Sequence, residues 1–345
     1  ETDGETEDQE GSSETSSVTI EVDDPLYSSQ TNITSTNIDD VWDQYTTGDG
    51  SQVIAIIDTG VDYTHPDLEA NIWINTVELN GVEGYDDDGN GYVDDIRGWD
   101  FINQDNAPLD DNMHGTHVAG IAGAVGNNGI GIAGAAWNVK LMPIKVFQST
   151  GQGNSVTISN GIEYASNNGA TIINMSFASL YESLTMRLAL ENAYATSILV
   201  AAAGNYGVYI GPGPSAFPCY PAAYSFVLGI EANAPWSNYD NHPYYTEYAF
   251  LYNYELVAAG ENIISTIPNG GYATLNGTSM AAPLVSGALS LYKELKPDES
   301  KELMFGNLIN TVQEPTSIGF RSVTIVDFLA ALEAVPEPRL AIITH

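Results

Sequence analysis

The stretch from Asn276 to Leu291, NGTSMAAPLVSGALSL, constrains this chain more than any other. Its residues are small and apolar on every side, so a helix built from them is stable only when buried among other elements. A polar Asn-Gly-Thr-Ser sequence therefore opens a core helix. Asn-Gly suits a tight turn and Thr278 is placed to cap. Ser279 then falls in the first helical turn, where free backbone N–H groups and the helix dipole favour negative charge. Such a helix start can hold an acyl oxyanion. Pro283 has no N–H, so in a helix beginning near Thr278 the carbonyl of Ser279 lacks its usual partner. A capped structural helix explains the same residues, and the choice between the two depends on what lies upstream.

Val53-Ile54-Ala55-Ile56-Ile57 is a continuous apolar run of the kind found in a strand covered on both faces, and it ends in Asp58-Thr59-Gly60. Functional groups gather at the carboxyl ends of strands in open parallel sheets, which makes Asp58 a candidate site residue; a turn Asp before Gly is the plain alternative. His114-Gly115-Thr116-His117 opens a second small-residue helix with histidines at helical spacing. Zinc would need a further protein ligand and no His-Glu-x-x-His occurs, so a metal reading of this pair is weak. Further strands are expected at 141–147, 171–175, 198–203, 226–230 and 256–258, with helices at 38–45, 156–167 and 184–196. This alternation describes one α/β domain, a mainly parallel sheet with helices on both faces. Gly204-Asn205 ends its strand as Asp58 ends its own, and a side-chain amide there can donate to a developing oxyanion, although Gly-Asn is also an ordinary turn.

Aspartates crowd the segment between Tyr85 and Asp111. Asp86-x-Asp88-x-Asn90-Gly91-Tyr92-x-Asp94 puts oxygen donors at alternate positions, with Gly91 where an EF-hand loop turns sharply. Arg97 stands where the bidentate Glu of an EF-hand would be, so Asp94 or Asp95 must close the shell instead. An acidic solvated loop is the alternative, but its carboxylates repel one another without a cation. In the whole chain 45 acidic residues face 9 basic ones, a formal net charge of -36, which excludes nucleic acid and anionic membrane as natural partners and favours cations such as calcium. The single Cys219 excludes an intrachain disulfide. No apolar run approaches the roughly 20 residues of a membrane span. Residues 1–24 hold ten carboxylates and no Lys or Arg, the composition of a disordered acidic leader. A basic start with an apolar core is absent, so a signal or pro-segment is expected to have been removed or to lie outside this sequence.

Asp58, His114 and Ser279 stand in that order as carboxylate, imidazole and hydroxyl, each where an element begins or ends. Acyl transfer needs all three, because a serine is a poor nucleophile until an oriented imidazole takes its proton. The runs AIIDTGVDYTHPDL, HGTHVAGIAGA, AAAGN and NGTSMAAP closely resemble the subtilisin-like serine proteases, the subtilases of peptidase family S8, over roughly residues 25–335. The resemblance implies a three-layer subtilisin-like sandwich with Asp58, His114 and Ser279 as catalytic triad. Asn205 and the Ser279 N–H would form the oxyanion hole, and His117 matches a non-catalytic position. Gly151-Gln152-Gly153 and Ser176-Phe177-Ala178 match the two segments that pair with an extended peptide substrate. Phe177-Ala178-Ser179 replaces the usual Leu-Gly-Gly there. Ala203, Gly204, Tyr206 and Cys219 match the surroundings of the S1 pocket, Tyr220-Pro221 is a candidate cis bond, and an apolar or aromatic P1 residue is expected.

The resemblance also implies calcium. One site would draw on Gln30, Asp67, Asn128 and carbonyls near Val125, Ile130 and Ile132. The loop with Asp86, Asp88, Asn90, Tyr92, Asp94 and Asp95 would be another, similar to the extra acidic loop of thermitase-like secreted subtilases. The implied protein is a secreted, monomeric serine endopeptidase with an N-terminal pro-domain in its precursor and a linker or tail at 336–345. An inactive binding module on the same fold, or a peptide ligase or macrocyclase, are the alternatives; four filled catalytic positions argue against decay.

Overall fold

The computed structural model describes residues 19–209, 217–239, 256–313, 316–318, 321–323 and 325–334. The apolar run before Asp58 forms β1 (Val53–Asp58), which lies within a seven-stranded sheet. The other members are β2 (Trp99–Asp100), β3 (Lys140–Lys145), β4 (Ile172–Met175), β5 (Ile198–Ala202), β6 (Leu228–Ala232) and β7 (Leu256–Ala258). Their order is β2-β3-β1-β4-β5-β6-β7, and every neighbouring pair runs parallel. Two antiparallel pairs stand apart, β8 (Ile263–Ile267) with β9 (Gly271–Leu275) and β10 (Thr316–Ile318) with β11 (Arg321–Val323).

The helices are α1 (Thr31–Thr34), α2 (Ile38–Gln44), α3 (Thr76–Leu79), α4 (His114–Gly123), α5 (Ser155–Asn167), α6 (Leu184–Ala193), α7 (Thr278–Leu295), α8 (Lys301–Asn310) and α9 (Phe328–Glu333). Alternate residues of β1 explain its unbroken apolar run. Ile54 and Ile56 enter one core with Val118 and Ala119 of α4 and Ala281 and Val285 of α7, while Ala55 and Ile57 enter a second with Ile158 and Ile162 of α5 and Met186 and Leu190 of α6. A parallel sheet needs such cover on both faces. The result is the expected three-layer α/β fold.

After β1 the chain moves to β3 on one side and returns to β4 on the other, so the strand order reverses at β1. Open α/β sheets bind ligands in the crevice outside the carboxyl ends at such a point. Asp58, Ser176 and Ala203 lie at the carboxyl ends of β1, β4 and β5.

Some boundaries differ from expectation. The strand expected at 226–230 forms as Leu228–Ala232, and the helix expected to reach 196 ends at Ala193. Residues 19–24, assigned to the leader, belong to the folded part: Ile20 and Val22 pack on the core, and buried Asp24 accepts from the N–H groups of Asn127 and Asn128. Apolar alternation outweighs net charge there. Residues 1–18 and the 336–345 tail lie outside the described residues.

Candidate active site

His114 is the first residue of α4, and its Nδ1 lies 2.8 Å from Asp58 Oδ1 at the end of β1. A carboxylate only accepts, so Nδ1 carries the proton and Nε2 is the free basic nitrogen. Asp58 Oδ1 also accepts the Thr59 N–H at 2.7 Å. Asp58 is buried, with 2% of its side chain exposed, whereas 30% of the His114 side chain remains open. Burial pushes the His114 pKa down, but the Asp58 charge, its hydrogen bond and the Asp110 charge outweigh this and leave it raised above the usual histidine value. His117 has the opposite balance. Burial dominates and pushes it down to about 4, and its Nε2 sits 3.0 Å from the Ala273 carbonyl of β9. It is a core residue.

The first turn of α4 is satisfied from outside the helix. Thr59 Oγ1 accepts the Gly115 N–H and donates to Asp110 Oδ1, while Asp110 Oδ2 accepts both the N–H and the hydroxyl of Thr116. Gly115 permits this contact, since a Cβ there would stand 2.0 Å from the Gly60 carbonyl oxygen. Lys145 completes the brace. Its ammonium is buried, with 1% exposure, and donates to the carbonyls of Thr59 and Phe147 and to Asp111. The sequence carried no signal for this role, because Lys145 reads as an ordinary strand residue.

Ser279 is the second residue of α7. The helix is not capped as expected: Gly277, extended at φ 164°, is the N-cap and no side chain caps it. Thr278 instead donates to Asn205 Oδ1 through both its N–H (2.9 Å) and its hydroxyl (3.0 Å). That fixes the amide with its oxygen on Thr278 and leaves Nδ2 as the donor. The Ser279 hydroxyl donates to the Ser176 carbonyl at 2.9 Å, and no hydrogen bond joins it to His114 among the described residues. The pair Asp58 and His114 is thus joined, Asn205 and Ser279 meet through Thr278, and Ser279 reaches the end of β4 rather than the imidazole.

The two segments expected to pair with a peptide lie near one another. Gly151, Gln152 and Gly153 are exposed after β3, in a turn closed by the Gln148 N–H on the Gln152 carbonyl. Phe177 follows Ser176, and its ring meets that of Phe147 edge-on with centroids 5.1 Å apart. Ser179 and Tyr220 exchange backbone hydrogen bonds of 2.8 Å, which brings in the cis Tyr220-Pro221 bond and buried Cys219. Asn238, unnoticed in the sequence, knits this region together. Its Nδ2 donates to the Ala203 carbonyl and to Cys219 Sγ, and its Oδ1 accepts the Tyr206 N–H. A Cβ on Gly204 would meet that amide at 2.5 Å, while Tyr206 stands 60% exposed.

Comparison with known proteins decides the family. A family model described as the subtilase family, peptidase S8, matches residues 49–324. The chain is a subtilase. It is 38% identical over 261 residues to subtilisin-like protease 1 of Plasmodium falciparum, an alignment covering 72% of this chain and 38% of that protein. It is 37% identical to the thermophilic serine proteinase of Bacillus sp. (strain AK1), with 74% and 55% covered. Thermitase of Thermoactinomyces vulgaris is 36% identical, with 71% and 75% covered. Among solved structures, a protease of Pseudoalteromonas arctica superposes with a TM-score of 0.72 at 27% identity, covering 90% of this chain and 98% of that one. The aligned part of the chain spans about half the length, or less, of the first two relatives.

Two regions of this subtilase bear on cations. In the first, Asp67 is fully buried, its carboxylate accepting from the Ile132 N–H, the Asn128 amide and the Tyr272 hydroxyl. Burial pushes its carboxyl up, these donors pull it back, and the nearby Asp24 charge adds to the rise. Gln30 spends its amide on Ala133, and the loop of Val125, Ile130 and Ile132 wraps the same place. A buried carboxylate with no cationic partner among the described residues fits a bound cation, with the Asn128 amide turned so that its oxygen faces inward.

In the second region Glu78, Asp86 and Asp88 bring carboxylate oxygens within 4.8 Å of one another. Glu78 of α3 was missed in the sequence because it precedes the loop. It is buried and already accepts the N–H groups of Asp87, Asp88 and Asp94. Asp94 and Asp95, expected to close the shell, have other partners. Asp94 at φ 54° accepts the Gly84 N–H, and Asp95 turns into the core to meet Tyr164 and Asn75. The Asn90 amide donates to Asp88 and Asp95, and its oxygen accepts the Tyr92 N–H. The three clustered carboxylates fit a divalent oxygen-seeking ion.

Proposed function

We propose that this subtilase is a secreted, calcium-stabilised serine endopeptidase that prefers apolar or aromatic P1 residues and acts on proteins through an acyl-enzyme on Ser279. The observation that carries the reading is the 2.8 Å hydrogen bond from His114 to Asp58, set at the strand-end rim that also carries Asn205 and Ser279. For reaction, the Ser279 hydroxyl leaves the Ser176 carbonyl and turns to His114 Nε2. A substrate N–H pairing with that same carbonyl favours the turn, since both compete for one acceptor. Oγ attacks the scissile carbonyl carbon as His114 takes the proton, and Asp58 stabilises the imidazolium. The oxyanion is met by Asn205 Nδ2 and the Ser279 N–H. His114 then returns its proton to the leaving amine, and water reverses the sequence to free the acid.

Exposed Tyr206, joined to Cys219 through Asn238, supports an uncharged P1 residue. Bound calcium would neutralise the clustered carboxylates at Asp67 and at Glu78, Asp86 and Asp88. The test is digestion of an unstructured protein such as casein by the wild type and Ser279→Ala, each with calcium and with chelator, reading products by mass. The wild type should cut after apolar or aromatic residues, Ser279→Ala should lose about 10⁴-fold or more of the rate, and chelator should shorten the active lifetime. A folded, calcium-loaded wild type that releases no products would refute the peptidase reading and favour a binding module.

A further inference from the structure

The proline inside α7 removes a hydrogen bond from the residue proposed as nucleophile. Pro283 lies within the helix and has no N–H, so the carbonyl of Ser279, four residues back, loses its regular α-helical partner. A donor arrives from the sheet instead. Ser176, just beyond β4, donates its hydroxyl to that carbonyl at 2.9 Å. The direction of this bond is set further inside. Asn174 of β4 donates its amide to Ser176 Oγ at 3.0 Å, which occupies the hydroxyl's lone pair and leaves its proton for Ser279. The Asn174 amide faces the Ser286 hydroxyl in turn, with its Oδ1 3.0 Å from Ser286 Oγ, which shares its one proton between that oxygen and the Ala282 carbonyl at 3.1 Å. Asn174 and Ser286 are fully buried and Ser176 nearly so, so a donor lost from this chain is not replaced by bulk water.

We propose that Ser176 and Asn174 are positioning residues for acyl transfer: through the Ser176 hydroxyl they supply the hydrogen bond that Pro283 withholds and so set the Ser279 peptide in the orientation the reaction needs. The inference rests on the peptidase reading of Ser279. A helix that capped this carbonyl itself would hold Ser279 to helical geometry. A donor from β4 ties it to the strand end whose backbone carbonyl already accepts the Ser279 hydroxyl. Nucleophile and substrate edge are thereby held in one register, and a small misplacement at such a site costs rate rather than binding.

The test is a double-mutant cycle of Ser176→Ala and Pro283→Ala, reading kcat and KM on a short chromogenic peptide and Tm for each protein. Ser176→Ala should lower kcat roughly 10- to 100-fold with KM within about twofold. In Pro283→Ala the backbone N–H at 283 can serve the Ser279 carbonyl, so adding Ser176→Ala should then cost only about threefold. Ser176→Thr, which keeps the hydroxyl, should retain most of kcat. Equal losses in both backgrounds, or a loss taken in KM, would overturn the proposal. If Ser176→Ala does not fold, Ser286→Ala must show the same Pro283-dependent loss of kcat, and an unchanged kcat would overturn it equally.

A second readout does not need activity. Ser279-Met280 is the only Ser-Met pair in the chain, so selective carbonyl labelling of Ser and nitrogen labelling of Met isolates the Ser279 carbonyl by NMR. That resonance should move upfield in Ser176→Ala, as a carbonyl losing a hydrogen bond does, and an unmoved resonance would refute the bond. If it moves in a chain that cleaves no peptide, the peptidase reading fails and the hydrogen-bond chain stands.

Discussion

At His114 two effects oppose each other. Burial disfavours the charged ring, while the Asp58 carboxylate, its hydrogen bond and the Asp110 charge favour it, and the attraction prevails. Under the proposed mechanism the general base must be neutral to accept the Ser279 proton, so activity is expected to fall as pH drops through this raised value. The acid limb of kcat/KM, which reports the free enzyme, should therefore lie above the ordinary histidine pKa of about 6.5. Asp58→Asn removes the largest cause of the rise, so its limb should move to lower pH while kcat drops by about 10⁴. A wild-type limb at or below the ordinary value would contradict this account. His117, held neutral by burial, adds no second limb near neutrality. Asp58, His114, Asn205 and Ser279 were legible in the sequence because each sits in a local run that marks the end or start of an element. Lys145 and Asn238 were not, because their roles depend on neighbours distant in the chain, and Glu78 was not, because it stands on α3 before the aspartate-rich loop it joins. Lys145 finds Thr59 and Asp111, and Asn238 finds Ala203 and Cys219.

At the scale of elements, the packing of α4 against α7 explains why both helices are rich in small residues. A Cβ on Gly287 would stand 2.4 Å from the Ala122 carbonyl oxygen and 2.7 Å from the Ala135 Cβ. One on Gly120 would meet the Thr266 and Ser265 hydroxyls of β8 at 2.2 and 2.4 Å. Helix propensity alone makes Gly287→Ala a gain of about 1 kcal/mol. Overpacking against a backbone oxygen works in the other direction and costs about 1–3 kcal/mol. Gly287→Ala should accordingly lower Tm in a thermal melt, and a rise would show that the helices can separate at little cost. The same small-residue runs, with the apolar run of β1, made the two helices and the layered sheet readable in advance. The short strand β2 and the hairpin of β8 and β9 escaped notice. β2 has two residues and exists through its pairing with β3, and β9 mixes half-buried and exposed positions with no clean alternation.

Across the whole molecule, the net charge of -36 sets the conditions under which the fold is stable. Few cations offset it: among the described residues Arg187 pairs with Glu182 and Glu191, Lys296 with Glu299, and Lys145 with Asp111. Two kinds of relief are distinguishable. Monovalent salt screens exposed charges over a Debye length of about 10 Å at 0.1 M, and its effect saturates without regard to place. A divalent ion on Glu78, Asp86 and Asp88 acts at one place and follows mass action, contributing about 2.7 kcal/mol when its concentration is 100 times Kd. Tm should therefore rise with sodium chloride, and millimolar calcium added on top of high salt should raise it further. Replacing Asp86 and Asp88 together by Asn should abolish part of that second increment while leaving the sodium response nearly intact, since two charges out of so many change the general repulsion little. If calcium adds nothing beyond matched ionic strength, the carboxylates form a solvated acidic loop whose backbone hydrogen bonds, above all those to Glu78, are sufficient to hold it.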